Sequence, residues 1–261
     1  MTSILLMGGS RRSGRIVERN FFAYRGMWFV FMTGLAEPIL YLLSIGIGVG
    51  ELVGDLSISG RPVSYEGYVA PALMATAAMN GSILDTTYNF FVKFKYLHLY
   101  DAVLATPMET GDVALGEVVW SLLRGGVYAA AFLATMASMG LVESSWAVLT
   151  IPAALLIGFA FAGAGLAATT WMRSFVDFDY VNLALIPMFL FSATFFPLSR
   201  YPGVFEWIVR ATPLYQGVAL ERGLVVGELG WAMIGHALYL GLMGSLGVSI
   251  AGRRLQRLLQ P

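Results

Sequence analysis

The chain has 261 residues, of which 57% are hydrophobic and 12% charged, with 16 basic and 16 acidic residues in balance. Soluble domains carry about 25% charged residues, so half that share cannot clothe a water-facing surface and excludes an ordinary soluble enzyme. Zero net charge gives no electrostatic reason to expect nucleic acid, and the lack of cysteine excludes disulfides, thiolate zinc sites and iron–sulfur clusters.

The first residues place a short apolar run, Ile4 to Met7, ahead of Arg11 and Arg12. A signal peptide has the opposite order, so the N-terminus is expected to be retained and cytoplasmic. Residues 11–26 read as an interfacial amphipathic helix. Val17, Phe21, Tyr24 and Trp28 share one helical stripe, and Arg12, Arg15 and Arg19 share another, as in helices that lie on a leaflet. A plain positive flank is the alternative, and both readings put this end inside.

A spanning helix needs about 20 apolar residues, and six segments qualify as candidates: about 27–49, 67–92, 114–140, 147–171, 180–197 and 230–251. Glu37 lies near the middle of the first, followed by Pro38, which predicts a kink. The second holds Asn80 and Asp85, with Gly81, Tyr88 and Asn89 on the face of Asp85. A carboxylate at mid-helix costs about 2.5–3.5 kcal/mol. Each must therefore face protein or water, as a polar path, a latch or a hydrogen-bonded packing residue.

Lys93 to Asp112 is the longest polar stretch, and Lys93 and Lys95 are the chain's two lysines. Neither belongs to a G-x-x-x-x-G-K-[ST] loop, so any ATP used must be hydrolysed by a partner. In the third span Glu117 and Arg124 are seven residues apart, about 10 Å along the axis. They cannot touch, and Asp85 is the expected partner of Arg124. Ala154, Gly158 and Ala162 form a small-residue stripe for close packing.

The segment 202–228 holds two apolar pieces broken at Thr212-Pro213. Runs of about 10–14 residues are too short to span, so this segment reads as a re-entrant helical hairpin beside a cavity, or as a pair of interfacial helices. His236 and Ser245 of the last span are nine residues apart, about 13.5 Å, too far for a base and its nucleophile. His98 lies in a loop, and two histidines alone build no metal site.

Charge sets the orientation. Arg11, Arg12, Arg15, Arg19, Arg25, Lys93, Lys95, Arg124, Arg173, Arg253, Arg254 and Arg257 fall on one side. Arg61, Arg200, Arg210 and Arg222 fall on the other. The bias predicts an all-α integral membrane protein with six transmembrane helices, N-in and C-in.

Two stretches carry a resemblance. The first runs from Tyr100-Asp101-Ala102 through Thr106-Pro107 to Asp112 and Leu115-Gly116-Glu117. The second runs from Phe189 through Ser192-Ala193-Thr194-Phe195-Phe196-Pro197 to Tyr201-Pro202, Thr212-Pro213-Leu214 and Glu221-Arg222. Together they resemble the type-2 ABC exporter permeases, in the nodulation-factor and daunorubicin-type drug-export branch, over nearly the whole chain. The family often has glycine where Ala193 stands, a departure expected to matter little.

The resemblance implies one transmembrane domain, non-catalytic and with no cofactor of its own, in a bacterial cytoplasmic (inner) membrane. It would dimerise with a second copy or a paralogue and bind a nucleotide-binding subunit that carries ATP and Mg. Residues 95–108 would be the coupling loop, with Tyr100, Asp101, Ala102, Thr106 and Pro107 at the ATPase. Spans one, two and five would line the dimer interface and the path, with Glu37, Asn80, Asp85, Tyr88, Asn89, Phe191, Phe195 and Phe196 as path or gating candidates. Residues 202–228 would cap the exit, with Pro202, Arg210, Pro213 and Glu221 at the gate. The cargo would be an amphipathic drug, lipid or lipid-linked glycan.

Two other readings stay open on the residues alone. One is an ion-coupled secondary transporter or channel using Glu37 and Asp85, although the sequence shows no internal repeat of the kind many such carriers have. The other is an intramembrane enzyme built on the same two carboxylates, for which no motif speaks. Dependence on a separate ATPase separates the first reading from both.

Overall fold

A computed structural model describes residues 2–26, 36, 39–58 and 61–259. Glu37 and Pro38 lie outside the described residues, as do residues 27–35 of the first expected span.

The N-terminal helix α1 (Thr2–Tyr24) begins well before the expected residue 11. Its inward face also differs from the expected aromatic stripe. Ser13, Ile16 and Asn20 are buried at helical spacing, whereas Phe21 is 56% exposed. The reason lies in a later helix. A Cβ on Gly116 would stand 2.6 Å from the Cβ of Ile16, so a glycine there admits α1 at close range along the Ile16 side.

Residues 39–45 are helical and run through a π turn, Gly46–Gly50, into a short helix, Glu51–Val53. The polar link that follows forms a two-stranded antiparallel ribbon, β1 (Leu56–Ile58) and β2 (Arg61–Val63), with Leu56 opposite Val63 and Ile58 opposite Arg61. The sequence showed only a turn signal here. Three-residue strands are too short to carry a periodicity.

Helix α2 (Tyr65–Leu84) starts at Ser64, whose hydroxyl accepts from the Gly67 N–H at 3.2 Å. It is buried on nearly every side, as a helix apolar all round must be. It continues as two π turns, Asp85–Asn89 and Val92–Tyr96. Such widened turns are frequent at functional sites, and Asp85 opens the first. His98, at φ 46°, then reverses the chain into a six-residue helix, α3 (Leu99–Leu104).

Helix α4 (Thr110–Ser138) begins with a capping box between Glu109 and Asp112. A 3-10 turn, Ser145–Leu149, leads into α5 (Thr150–Thr169). Helix α6 (Phe178–Leu190) ends seven residues before the expected limit of span five. Its C-terminus breaks where the Ser192 hydroxyl bonds back to the Met188 carbonyl and Ala193 adopts φ 57°. Thirteen residues reach only about 20 Å, so the helical part of span five needs its flanking turns, Phe175–Asp177 and the segment after Leu190, to match a hydrocarbon core of about 30 Å.

The hairpin consists of α7 (Gly203–Ala211) and α8 (Pro213–Val226). Thr212 caps α8 by accepting from the Tyr215 N–H, with Pro213 in its first turn, where proline costs no hydrogen bond. The last helix, α9 (Trp231–Leu259), carries on through all three terminal arginines.

Helices α5 and α9 form the closest pair. A Cβ on Gly163 would collide with the Gly244 backbone, and one on Gly247 with Gly163. This is the small-residue mode of membrane helix packing, at glycines beside the Ala154–Gly158–Ala162 stripe rather than within it. Among the described residues, three segments are long and apolar enough to cross a bilayer: Thr110–Ser138, Ser145–Thr169 and Trp231–Leu259. Their outer faces expose Val127, Leu238, Leu242 and Leu246. Exposed apolar surface on this scale fits lipid rather than water.

Candidate functional site

Three polar clamps lie along α2 and the π turns that continue it, at Tyr68, Asp85 and Lys93. Beyond the C-terminal end of α2, at its second π turn, Glu117 of α4 is 3% exposed. Its Oε2 accepts from Lys93 Nζ at 2.7 Å and from Asn20 Nδ2 at 3.1 Å, and its Oε1 accepts from the Tyr100 hydroxyl at 2.9 Å. One carboxylate therefore ties α1, the second π turn of α2, and α3 to α4. Burial, and next the neighbouring Glu117 charge, raise the Tyr100 phenol well above its ordinary pKa, so it donates at neutral pH. The Tyr100 ring stacks on Phe90 at 4.9 Å, which fixes the direction of that hydroxyl.

In the middle, Arg124 Nη2 donates to Asp85 Oδ1 at 2.5 Å, and Asn89 Nδ2 donates to the same oxygen at 2.7 Å. The expected Arg124–Asp85 pair is present. The guanidinium also faces the rings of Tyr24 at 5.9 Å and Tyr128 at 6.0 Å, a favourable cation–π setting.

Near the N-terminus of α2, Arg222 of α8 donates to the Tyr68 carbonyl through Nε and Nη2, at 3.3 and 3.2 Å, and to the Ala193 carbonyl at 3.0 Å. Its guanidinium lies 3.8 Å above the Tyr68 ring, and the Tyr68 hydroxyl donates to Ala193 at 3.2 Å. Ala193 stands in the left-handed region, which costs a residue with a Cβ roughly 1–2 kcal/mol. The departure from glycine is thus consequential, contrary to expectation: the turn needs that φ to present its carbonyl to Arg222 and Tyr68.

The coupling-loop candidates divide. Asp101, Ala102, Thr106 and Pro107 are exposed, whereas Tyr100 points inward with 1% exposure. Asp101 pairs with His98 at 3.1 Å. Among the path candidates, Asn80 and Tyr88 line a groove of about 390 Å³ between α2 and α6, together with Asn182 and Phe189. Asp85 and Asn89 instead belong to the clamp. Phe195 packs on Phe189 at 5.1 Å, while Phe191 and Phe196 are exposed. Glu37 lies outside the described residues.

Of the hairpin candidates, Pro202 and Arg210 are exposed, and Arg210 bonds Glu206 at 2.7 Å within α7. Pro213 starts α8. Glu221 is fully buried, and among the described residues neither of its oxygens has a hydrogen-bond partner. Ser245 donates to its own helix at Gly241, and His236 bonds Gln216, so the two form no dyad.

Sequence reasoning singled out neither Asn20, nor the Lys93–Glu117 pair, nor the Arg222 clamp. Asn20 shares a stripe with Ser13 and Ile16 that flanks the aromatic stripe of α1, and nothing in the spacing alone marks it as the inward one. The pairings themselves join residues 24 to 154 positions apart, which no local spacing reveals.

Residues 14–226 match the family described as ABC-2 type transporter. The chain is also similar to the protein named Nodulation protein J of Rhizobium leguminosarum bv. trifolii, at 30% identity over 85% of this chain and 84% of that one. Its counterpart in Rhizobium meliloti (strain 1021) is 29% identical over 81% of this chain and 80% of the other. The counterpart in Azorhizobium caulinodans is 24% identical over 87% and 89%.

Proposed function

The chain belongs to the ABC-2 type transporter family, an integral membrane family whose permeases generally work with an ATPase subunit, and we propose that it is the permease of an ATP-driven exporter in a bacterial inner membrane. Six spans, with both termini inside, set a second permease against the α2–α6 side. The cargo is an amphipathic drug, lipid or lipid-linked glycan. ATP and Mg act on the partner subunit, and this chain forms the path and transmits force.

The observation that carries this reading is the Glu117 node. It fixes α3, the candidate coupling helix, rigidly to α1 and to the inner ends of α2 and α4. A push on the exposed Asp101–Pro107 edge would then move these helices as one body, which is how rigid-body switching between two packings operates. An ion-coupled carrier would need Asp85 free to exchange a cation, and its contact with Arg124 argues against that.

The test is reconstitution in proteoliposomes with the ATPase subunit that co-purifies. Asp101→Trp with Pro107→Trp should abolish stimulation of ATP hydrolysis while the permease stays folded. Export that persists after the ATPase is removed would overturn the reading.

A further inference from the structure

A second groove, of about 620 Å³, lies next to the α2–α6 groove and shares Ile83, Thr87, Val181 and Leu185 with it. It is walled by α5, α6, α9 and the edge of α2. Ala164, Ala168, Ala184, Leu185, Met188 and Met243 line it, and Pro213 at the start of α8 closes its far end. From Tyr180 to Met188 it runs about 12 Å along α6. That is close to the depth of one leaflet, half of a hydrocarbon core of about 30 Å.

The other end is polar. Arg173 and Asp177 line it beside Trp171. The Asp177 carboxylate is occupied by the backbone N–H groups of Arg173 and Ser174, at 2.6 and 3.1 Å, which hold it below its ordinary pKa. Among the described residues, no carboxylate forms a contact ion pair with Arg173. Behind Trp171, Arg254 lies 3.9 Å over the indole and donates to Thr170 at 3.0 Å. The indole is half exposed at this mouth, the position of an interfacial aromatic anchor.

We propose that this groove binds one acyl chain of an anionic phospholipid of the inner leaflet, with its phosphate at Arg173 and Arg254. Depth, apolar walls and a cationic mouth fit that one occupant. Basic pockets between helices on the cytoplasmic side take acidic headgroups for the same reason. The inference rests on the inward placement of Arg173, not on ATP coupling. The groove adjoins the cargo path of the proposed function, with which it shares Val181 and Leu185, and extends past it along Tyr180, Ala184 and Met188.

The test uses the full chain in phosphatidylcholine nanodiscs, with Trp28, Trp120, Trp146, Trp207 and Trp231 changed to Phe so that Trp171 reports alone. Chain-brominated phosphatidylglycerol should quench Trp171 at about one fifth of the mole fraction that brominated phosphatidylcholine requires, the factor one arginine near an anionic surface supplies. Ala184→Phe should remove most of the quenching, and Arg173→Gln should remove the preference while leaving quenching in place. Equal quenching by both lipids, or a preference that survives both substitutions, would overturn the proposal. So would a disulfide between two copies of an Ala184→Cys variant, since the chain has no cysteine of its own and a second copy would then fill the groove.

Discussion

Arg124 and Asp85 meet at 2.5 Å with both side chains buried, joining α4 to the first π turn of α2. Removing one partner of such a pair leaves an uncompensated buried charge and costs about 3–5 kcal/mol, whereas replacing both with apolar residues is often close to neutral. Arg124→Met alone should lower the thermal midpoint in detergent sharply, and Asp85→Leu with Arg124→Met should recover most of the loss. If the double variant is as unstable as the single, the pair is not the unit that matters.

Glu117 holds three elements at once, so its loss should show in coupling as well as in stability. Glu117→Gln leaves the Lys93 ammonium facing a neutral amide and should lower both. Tyr100→Phe removes one hydrogen bond, worth about 1 kcal/mol, and leaves the ion pair intact. It should keep the protein folded and the basal ATPase active while reducing cargo moved per ATP in proteoliposomes. An unchanged ratio would reduce the node to packing.

Ala193 at φ 57° carries a Cβ in a conformation that glycine adopts freely. Ala193→Gly should therefore raise thermal stability by about 1 kcal/mol, since the backbone penalty of roughly 1–2 kcal/mol is partly offset by the greater entropy glycine loses on folding. Ala193→Val should do the reverse. A lower midpoint for the glycine variant would mean that the buried methyl outweighs the backbone strain.

Glu221 is fully buried with neither oxygen bonded among the described residues. An unsatisfied buried polar group costs about 1–3 kcal/mol, and an apolar side chain of similar shape removes the cost. Glu221→Met should raise the thermal midpoint of the purified chain. If it falls, the carboxylate has a partner in the assembled permease, and the variant should then also fail to dimerise.

Composition, hydropathy and the positive-inside bias were sufficient for a membrane protein with apolar helices at 114–140, 147–171 and 230–251, because burial in lipid imposes a pattern that each helix carries alone. The break at Thr212-Pro213 was equally legible, since a cap followed by proline is a local signal. So was the chemistry of Asp85 and Arg124, two charges that each needed a partner inside the spans. The inward face of α1, the early end of α6 and the left-handed turn at Ala193 were not legible. Each depends on a distant group: Gly116 makes room for Ile16, and Arg222 and Tyr68 claim the Ala193 carbonyl. The sequence settled which residues could not face lipid; only the tertiary structure decided which of them face one another, because those pairings form between helices that are neighbours in space and strangers in sequence.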